Sequence, residues 1–257
     1  MWEGQRISLT KSNETLSKDL MAKLHKWAGS HICPFVWDAS SASAQVENGS
    51  CFFIDFDDRL FMVTAAHVYA GYLCAKRKSA REVACRIGHL NFDPQARLRD
   101  CDRDKDIATF DFTYAELATV QTQAVVATPS PPPEPPEDLN AFIGGFPARG
   151  RRLIGEKVAF GRYLALTPIT AVTDRQLIFR FNRENWVGID GIDLPAPGAE
   201  LGGISGGPVL LPADDNAGSW SLFLGGIISQ AHTSFDYETV VAVRSDFINR
   251  DGSISPI

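Results

Sequence analysis

The 257 residues contain no uninterrupted apolar run approaching the roughly 18 needed to cross a membrane as a helix, so no membrane association is expected. The opening stretch, MWEGQRISLTKSNETL, scatters charges and lacks the apolar run of a secretory signal, and the chain is expected to begin here as a mature protein. Positive charge is not in excess. With 25 basic and 31 acidic side chains the formal charge is −6, which excludes a global field drawing the molecule onto nucleic acid or an anionic membrane. Cysteine is scarce and odd in number. Cys33, Cys51, Cys74, Cys85 and Cys101 all lie in the first 101 residues, and no two have the C-x-x-C spacing of a zinc or redox motif. They read as reduced thiols in a cytoplasmic compartment, with no metal and no organic cofactor implied. No internal repeat of fixed period is present.

What the chain does have is an ordinary globular balance, 44% hydrophobic and 22% charged, at a length that suits one large all-β unit or two smaller domains. Leu16, Leu20, Leu24 and Trp27 recur at helical steps behind Ser12 and Asn13, predicting an amphipathic N-terminal helix that docks by its apolar stripe. Beyond it the strongest signals are short β-type runs, over 51–56, 60–64, 83–87, 107–112 and 120–127. They continue over 141–144, 153–160, 176–181, 209–211, 222–229 and 239–243. Many short strands and few helices predict barrels or a sandwich. Residues 128–138, TPSPPPEPPED, cannot supply ladder hydrogen bonds and read as a stiff crossover. The expected organisation is an N-terminal helical extension over 1–30, a first β-unit over 31–127, the Pro-rich linker over 128–138 and a second β-unit over 139–257.

Three local patterns carry chemistry. In Met62-Val-Thr-Ala-Ala-His67-Val68 a β-run ends in small residues directly before a histidine, leaving the imidazole room to face a cleft. In Asp106-Ile-Ala-Thr-Phe110 an acid opens an apolar strand, where it can accept a hydrogen bond from an imidazole. In Gly202-Gly-Ile-Ser205-Gly-Gly-Pro208 a serine sits among four glycines, where backbone can approach a substrate closely. A serine hydroxyl is a weak nucleophile until a base takes its proton, and that base works best when a carboxylate fixes its tautomer. Ser205, His67 and Asp106 supply those parts, and the N–H groups of Gly203 and Ser205 can receive a developing oxyanion. Each has a plainer reading taken singly: a turn, a satisfied strand-end histidine, a loop acid. Of the rival acids Asp102, Asp104 and Asp111, none opens the apolar strand, and Asp111 alternates to its opposite side.

These motifs, in this order and at separations of 39 and 99 residues, resemble the chymotrypsin-like (trypsin-like) serine proteases, closer to bacterial and intracellular members than to secreted zymogen-type ones. Asn48-Gly-Ser50 resembles the strand ahead of the histidine. Leu224-Gly-Gly-Ile-Ile-Ser229 resembles the strand whose serine supports the buried aspartate, with Gln230, Ala231 and His232 following where the family's substrate pocket is walled. The resemblance covers about residues 34–250. It implies an all-β fold of two six-stranded antiparallel β-barrels, with the N-terminal helix and a short C-terminal helix. It also implies a serine endopeptidase acting through an acyl-enzyme. Ser229, Gln230, Ala231 and His232 are thereby implied as substrate-pocket residues. Two departures matter. Ile204 stands where zymogen-type members carry an aspartate, so activation by cleavage and salt-bridge formation is not expected. Val68 follows the histidine where secreted relatives often place a cysteine.

Other readings stay open. Gly203-Ile-Ser205-Gly-Gly207 also satisfies the G-x-S-x-G elbow of α/β-hydrolase esterases, although that fold needs its acid and histidine after the serine and only His232 follows. A catalytically silent module on a protease fold is the alternative from another class. The expected partner is a protein or peptide substrate. The N-terminal helix and the Pro-rich linker are candidate contacts for a regulatory protein. Lys76-Arg-Lys78 with Arg81, and Arg149 with Arg151-Arg152, have solvated loops as their default reading, as Asp55, Asp57 and Asp58 have a turn rather than a cation site. Cys51, inside an apolar strand, reads as packing.

Overall fold

The structure, a computed structural model, describes residues 18–38, 46–126, 135–154, 157–189, 192–193, 200–214, 220–234 and 237–256. Helix α1 (Lys18–Gly29) leads into the first sheet, whose strands are β1 (Ile32–Asp38), β2 (Val46–Asp55), β3 (Leu60–Thr64), β4 (Cys85–Ile87), β5 (Leu90–Asn91), β6 (Leu98–Asp102), β7 (Ile107–Phe112) and β8 (Val125–Val126). Their spatial order is β5-β4-β1-β2-β3-β7-β6, antiparallel throughout, and β8 adds to β2 in parallel. Three helices interrupt it: α2 (Ala66–Lys78), α3 (Pro94–Arg97) and α4 (Tyr114–Val120).

The second half contributes β9 (Asn140–Gly145), β10 (Arg151–Ile154), β11 (Lys157–Phe160), β12 (Arg162–Pro168), β13 (Ala171–Val172), β14 (Gln176–Asn182), β15 (Trp186–Ile189), β16 (Pro208–Asp214), β17 (Trp220–Thr233) and β18 (Tyr237–Arg244). Strands β10 and β11 form a separate hairpin, and the others an antiparallel sheet ordered β13-β14-β18-β17-β16-β9-β12-β15. Two curled antiparallel sheets with few helices are the all-β, double-barrel class that the motifs imply. Each large sheet counts eight strands rather than six, because short edge pieces pair with the longer strands. The short C-terminal helix is one 3-10 turn at Ser245–Phe247. Antiparallel sheets leave no place for the alternating strands and helices of the esterase reading.

Strand alternation builds three cores. Phe52 and Ile54 of β2 and Phe61 and Val63 of β3 point to one side, while Cys51, Phe53, Leu60 and Met62 point to the other. Both faces of these strands are therefore buried, which is why their sequences read as continuous apolar runs. On one side the aromatics Phe35, Phe53 and Phe110 meet Val68, Tyr69 and Tyr72 of α2, with Tyr69 edge-on to Phe110 at 5.3 Å. On the other, Phe52, Ile54 and Val63 meet Phe142, Leu164, Leu210 and Ile227 of the second sheet. Leu24 and Ala28 of α1 close this shared cluster, so the helix is a wall of the seam between the sheets. The third core, including Ile143, Leu177, Phe179, Trp186 and Ile204, fills the second sheet.

Several elements differ from expectation. The run at 120–127 shrinks to Val125–Val126, because Thr113 and Glu116 form a capping box that starts α4. The run at 153–160 is the hairpin of β10 and β11. Lys76, Arg77 and Lys78 form the exposed last turn of α2, where cations complement the helix dipole. Leu16 and the caps Ser12 and Asn13 lie outside the described residues, as does most of the Pro-rich crossover, which is described only from Pro135 onward.

Leu24 is 5% exposed, so Leu24→Ala should lower the unfolding free energy by about 2–5 kcal/mol, the usual cost of a buried leucine truncation. Urea denaturation followed by fluorescence and far-UV circular dichroism measures it. The two transitions should shift together, since α1 belongs to the cluster shared by both sheets.

Candidate active site

His67 is the second residue of α2, directly after the turn that ends β3. That helix begins without help from its own sequence, since Ala65 offers no side-chain cap and its first turn carries no acid. Asp106 supplies the missing acceptor from across the sheet: its Oδ1 accepts the His67 backbone N–H at 2.8 Å, satisfying an orphan helix N-terminal donor. Its Oδ2 lies 2.8 Å from His67 Nδ1. A carboxylate can only accept, so Nδ1 carries the proton, and in the neutral ring Nε2 is then the acceptor. The Ser229 hydroxyl donates to the same Oδ2 at 2.6 Å. Burial pushes the Asp106 carboxyl up, but the bonds from the His67 ring, the Ser229 hydroxyl and the His67 N–H prevail and hold it below the ordinary aspartate value.

Asp106 reaches this position through a left-handed backbone, φ 55°, a conformation that aspartate tolerates better than most residues. The preceding turn is tied by Asp102, whose Oδ1 accepts the N–H groups of Asp104 and Lys105 and whose carboxylate pairs with the buried Lys105 ammonium. Lys105 also lies over the Phe247 ring at 5.7 Å.

Ser205 comes from the other sheet, in the turn ahead of β16. Its hydroxyl donates to the Ser229 carbonyl at 3.2 Å, and among the described residues it makes no hydrogen bond with the His67 ring. Ser229 thus touches both groups, through its hydroxyl to Asp106 and through its carbonyl to Ser205. It can do so because it lies in a β-bulge. Ile228 pairs with Ala242 and Gln230 with Val241, leaving Ser229 without a partner on β18.

The glycines of the turn are demanded by crowding. Gly203 has φ 101°, and a Cβ there would sit 2.6 Å from the Phe146 carbonyl oxygen. Gly206 has φ 84°, and its Cβ would fall 2.1 Å from the Ser50 carbonyl oxygen and 2.2 Å from Thr64 Oγ1. Within the turn Ile204 N–H bonds Leu201, Gly206 N–H bonds Ile228 and Gly207 N–H bonds Ile204. The N–H groups of Gly203 and Ser205 bond nothing among the described residues. Ile204 is fully buried in the core of the second sheet beside Leu201, an apolar anchor where the zymogen pattern would have a charged one.

Among the other predicted site residues, Gln230 and His232 are exposed and lie side by side, Oε1 to Nε2 at 3.3 Å, while Ala231 is half-buried between them. The strand signal located Ser229, but its place in a bulge has no mark in the sequence. Cys51 is fully buried with its Sγ donating to the Cys33 carbonyl, and burial pushes its thiol well up, which makes it a poor nucleophile. The acids at the hairpin tip are engaged locally: Asp55 accepts the Asp57 N–H and the Tyr114 hydroxyl, and Asp57 pairs with Arg250.

No protein-family model and no curated protein sequence matches the chain. In structure the chain is similar to the protease Rv3671c of M. tuberculosis in its active form, with a TM-score of 0.48 at 15% identity over 89% of this chain and 82% of that one. It is similar to the serine protease of a human pathogenic astrovirus, with a TM-score of 0.41 at 15% identity over 84% and 90% of the two chains. It is also similar to a serine endoprotease of Yersinia pestis, with a TM-score of 0.49 at 15% identity, covering 90% of this chain and 64% of that one.

Because the folded state lowers the Asp106 pKa, its ionised form stabilises the fold fully above the unfolded aspartate value. That contribution is lost as pH falls through the lower folded value. The melting-temperature gap between the wild type and Asp106→Asn should therefore stay constant from neutral pH down to the ordinary carboxylate range and close below it. Thermal melts across this interval measure the gap, and a pH-independent gap would contradict the assignment.

Proposed function

We propose that the protein is a serine endopeptidase, hydrolysing peptide bonds through an acyl-enzyme on Ser205. The observation that carries this reading is Ser229, which draws the hydroxyl of Ser205 and the Asp106–His67 pair to one point of the seam, while the N–H groups of Gly203 and Ser205 make no hydrogen bond among the described residues. In this reading a turn of the Ser205 side chain away from the Ser229 carbonyl delivers its proton to His67 Nε2. Such hydrogen bonds are commonly long or misaligned before substrate binds.

Attack of Oγ on the scissile carbonyl moves the proton to His67 and places negative charge on the carbonyl oxygen. Gly203 and Ser205 N–H receive that charge, and each donor of this kind is worth about 10²–10³ in turnover. Asp106 stays ionised and steadies the imidazolium, which then gives its proton to the leaving amine. Water, activated by the same imidazole, releases the acyl group and restores Ser205. Ser229, Gln230, Ala231 and His232 are proposed to wall the pocket for the substrate side chain, Ser229 through its backbone since its hydroxyl is committed to Asp106. The two sheets with their crossover are proposed as the functional halves, His67 and Asp106 on the first and Ser205 on the second. A protein or peptide is the proposed substrate.

A fluorophosphonate probe should label the wild type at Ser205 and leave Ser205→Ala unlabelled. With a peptide library the wild type should cleave internal bonds, and Asp106→Asn should lose about four orders of magnitude in turnover, the usual cost of losing the orienting carboxylate. A folded wild type that neither labels nor cleaves would identify a silent binding module instead.

A further inference from the structure

We infer that Ser50, to which the sequence reading gives no role of its own in the chemistry, is a positioning residue that holds the oxyanion turn open, so that the site forms with the fold and needs no cleavage or partner to assemble it. The inference rests on the serine peptidase reading and concerns how that same site is regulated. It starts from the geometry of a trans peptide, whose C=O and N–H point in opposite directions: pinning a carbonyl aims the N–H of the following residue.

Four consecutive carbonyls of the turn are pinned. Gly202 O accepts the Ala148 N–H at 2.7 Å, which turns the Gly203 N–H the other way. Gly203 O accepts the Ser50 hydroxyl at 2.8 Å. Ile204 O accepts the Gly207 N–H at 3.0 Å, which turns the Ser205 N–H outward. Ser205 O accepts the Ser50 backbone N–H at 2.8 Å. Ser50 thus holds two of the four directly.

It also reaches a third. Its Oγ accepts the Phe146 N–H at 2.8 Å, ordering the segment from which Ala148 holds Gly202, and Asn48 of the same strand adds a bond from Nδ2 to the Phe146 carbonyl at 2.7 Å. A hydroxyl can donate to Gly203 O and accept from Phe146 N at once, which alanine cannot do and a thiol does only weakly. Ser50 is itself fixed, fully buried, with its carbonyl accepting Thr64 Oγ1 at 2.6 Å, and it lies so close to Gly145 that a Cβ added there would come within 2.5 Å of its Oγ. With Ile204 sunk in the second core, the turn is held from both sheets by neutral contacts that exist once the chain has folded. A flip of the Gly202–Gly203 peptide, which would place a carbonyl where the oxyanion belongs, has to break the Ala148 bond to Gly202 O, which Ser50 supports through Phe146, against a neighbouring Gly203 carbonyl that Ser50 holds in place.

The experiment compares the full-length wild type with Ser50→Ala and Ser50→Cys, the latter keeping the volume with a weaker donor. Thermal melts first establish that each is folded at the assay temperature. On a chromogenic peptide ester, Ser50→Ala should lose about 10–100-fold in kcat with KM within about two-fold, less than losing an oxyanion donor outright because Ser50 acts through the neighbouring peptides and not on a donor itself. Ser50→Cys should fall between them. Affinity for a peptide aldehyde, which places an oxyanion in the site, should drop in step with kcat, while affinity for the corresponding peptide alcohol should not change. Freshly purified wild type should be active without processing. Unchanged kcat and aldehyde affinity in folded Ser50→Ala, equal losses for aldehyde and alcohol, or wild-type activity appearing only after cleavage would overturn the inference alone. Failure of the wild type to take up the fluorophosphonate would instead overturn the peptidase reading on which it rests.

Discussion

A half-buried carboxylate has to be met by donors, and the way Asp106 is met organises the seam between the two sheets. It receives the backbone N–H and the ring of His67 from the first sheet's side and the Ser229 hydroxyl from the second. Removing any of these would leave charge poorly solvated at a place where water has limited access, a situation costing more than an ordinary hydrogen bond is worth. The same acceptor starts a helix that has no cap of its own, so the orientation of the imidazole and the origin of α2 are fixed by one group. Local turn chemistry prepares this: Asp102 and Lys105 lock the preceding loop, and the left-handed backbone at Asp106 aims the side chain back across the sheet.

The second sheet answers with backbone rather than charge. A bulge at Ser229 exposes its hydroxyl and its carbonyl to the seam, and the glycine turn runs so close to Ser50 and Thr64 that Gly206 admits no side chain. Such contacts demand that the sheets do not slide, and the apolar cluster shared by Phe52, Ile54, Val63, Phe142, Leu210 and Ile227, closed by Leu24 and Ala28, supplies that rigidity. The hydrogen bonds at the seam decide orientation; the cluster beneath them decides separation.

The sequence carries the candidate site residues more clearly than it carries their placement. His67, Asp106 and Ser205 stand out because small residues, an apolar strand and glycines surround them, each a local pattern that can be read without knowing the fold. The runs at 60–64 and 107–112 match β3 and β7, since strands buried on both faces have to be apolar throughout. By contrast α2 is hidden: its cap lies 39 residues away, at Asp106, and no capping residue precedes it. Strand β1 is hidden because Pro34 interrupts its apolar run, although β2 pairs it fully. Thr113 and Glu116 carry the capping box that makes 114–120 a helix, so the expected run over 120–127 loses Val120 to that helix and keeps only Val125–Val126 as strand. Ser50 and Ser229 both stand in runs that the resemblance marks, but the bonds of Ser50 to the glycine turn and the bulge at Ser229 leave no local signal, because they arise only where distant strands meet.

How the glycine turn is anchored bears on what can control such a site. A buried charge at position 204 would need an opposite charge brought to it, and the turn would remain loose until that partner arrived. A buried isoleucine needs nothing beyond the core it enters, and Ile204 meets Leu201, Ile143 and Val209 there. Its burial is worth a few kcal/mol, on the order of 1.5–3 for a full aliphatic side chain, and it is present as soon as the second sheet forms. Neutral anchoring on this side, with hydroxyl and amide contacts from Asn48 and Ser50 on the other, leaves the turn without a titrating or cleavable element of its own. On the proposed reading, control over the site would act on access to the seam and not on the shape of the turn.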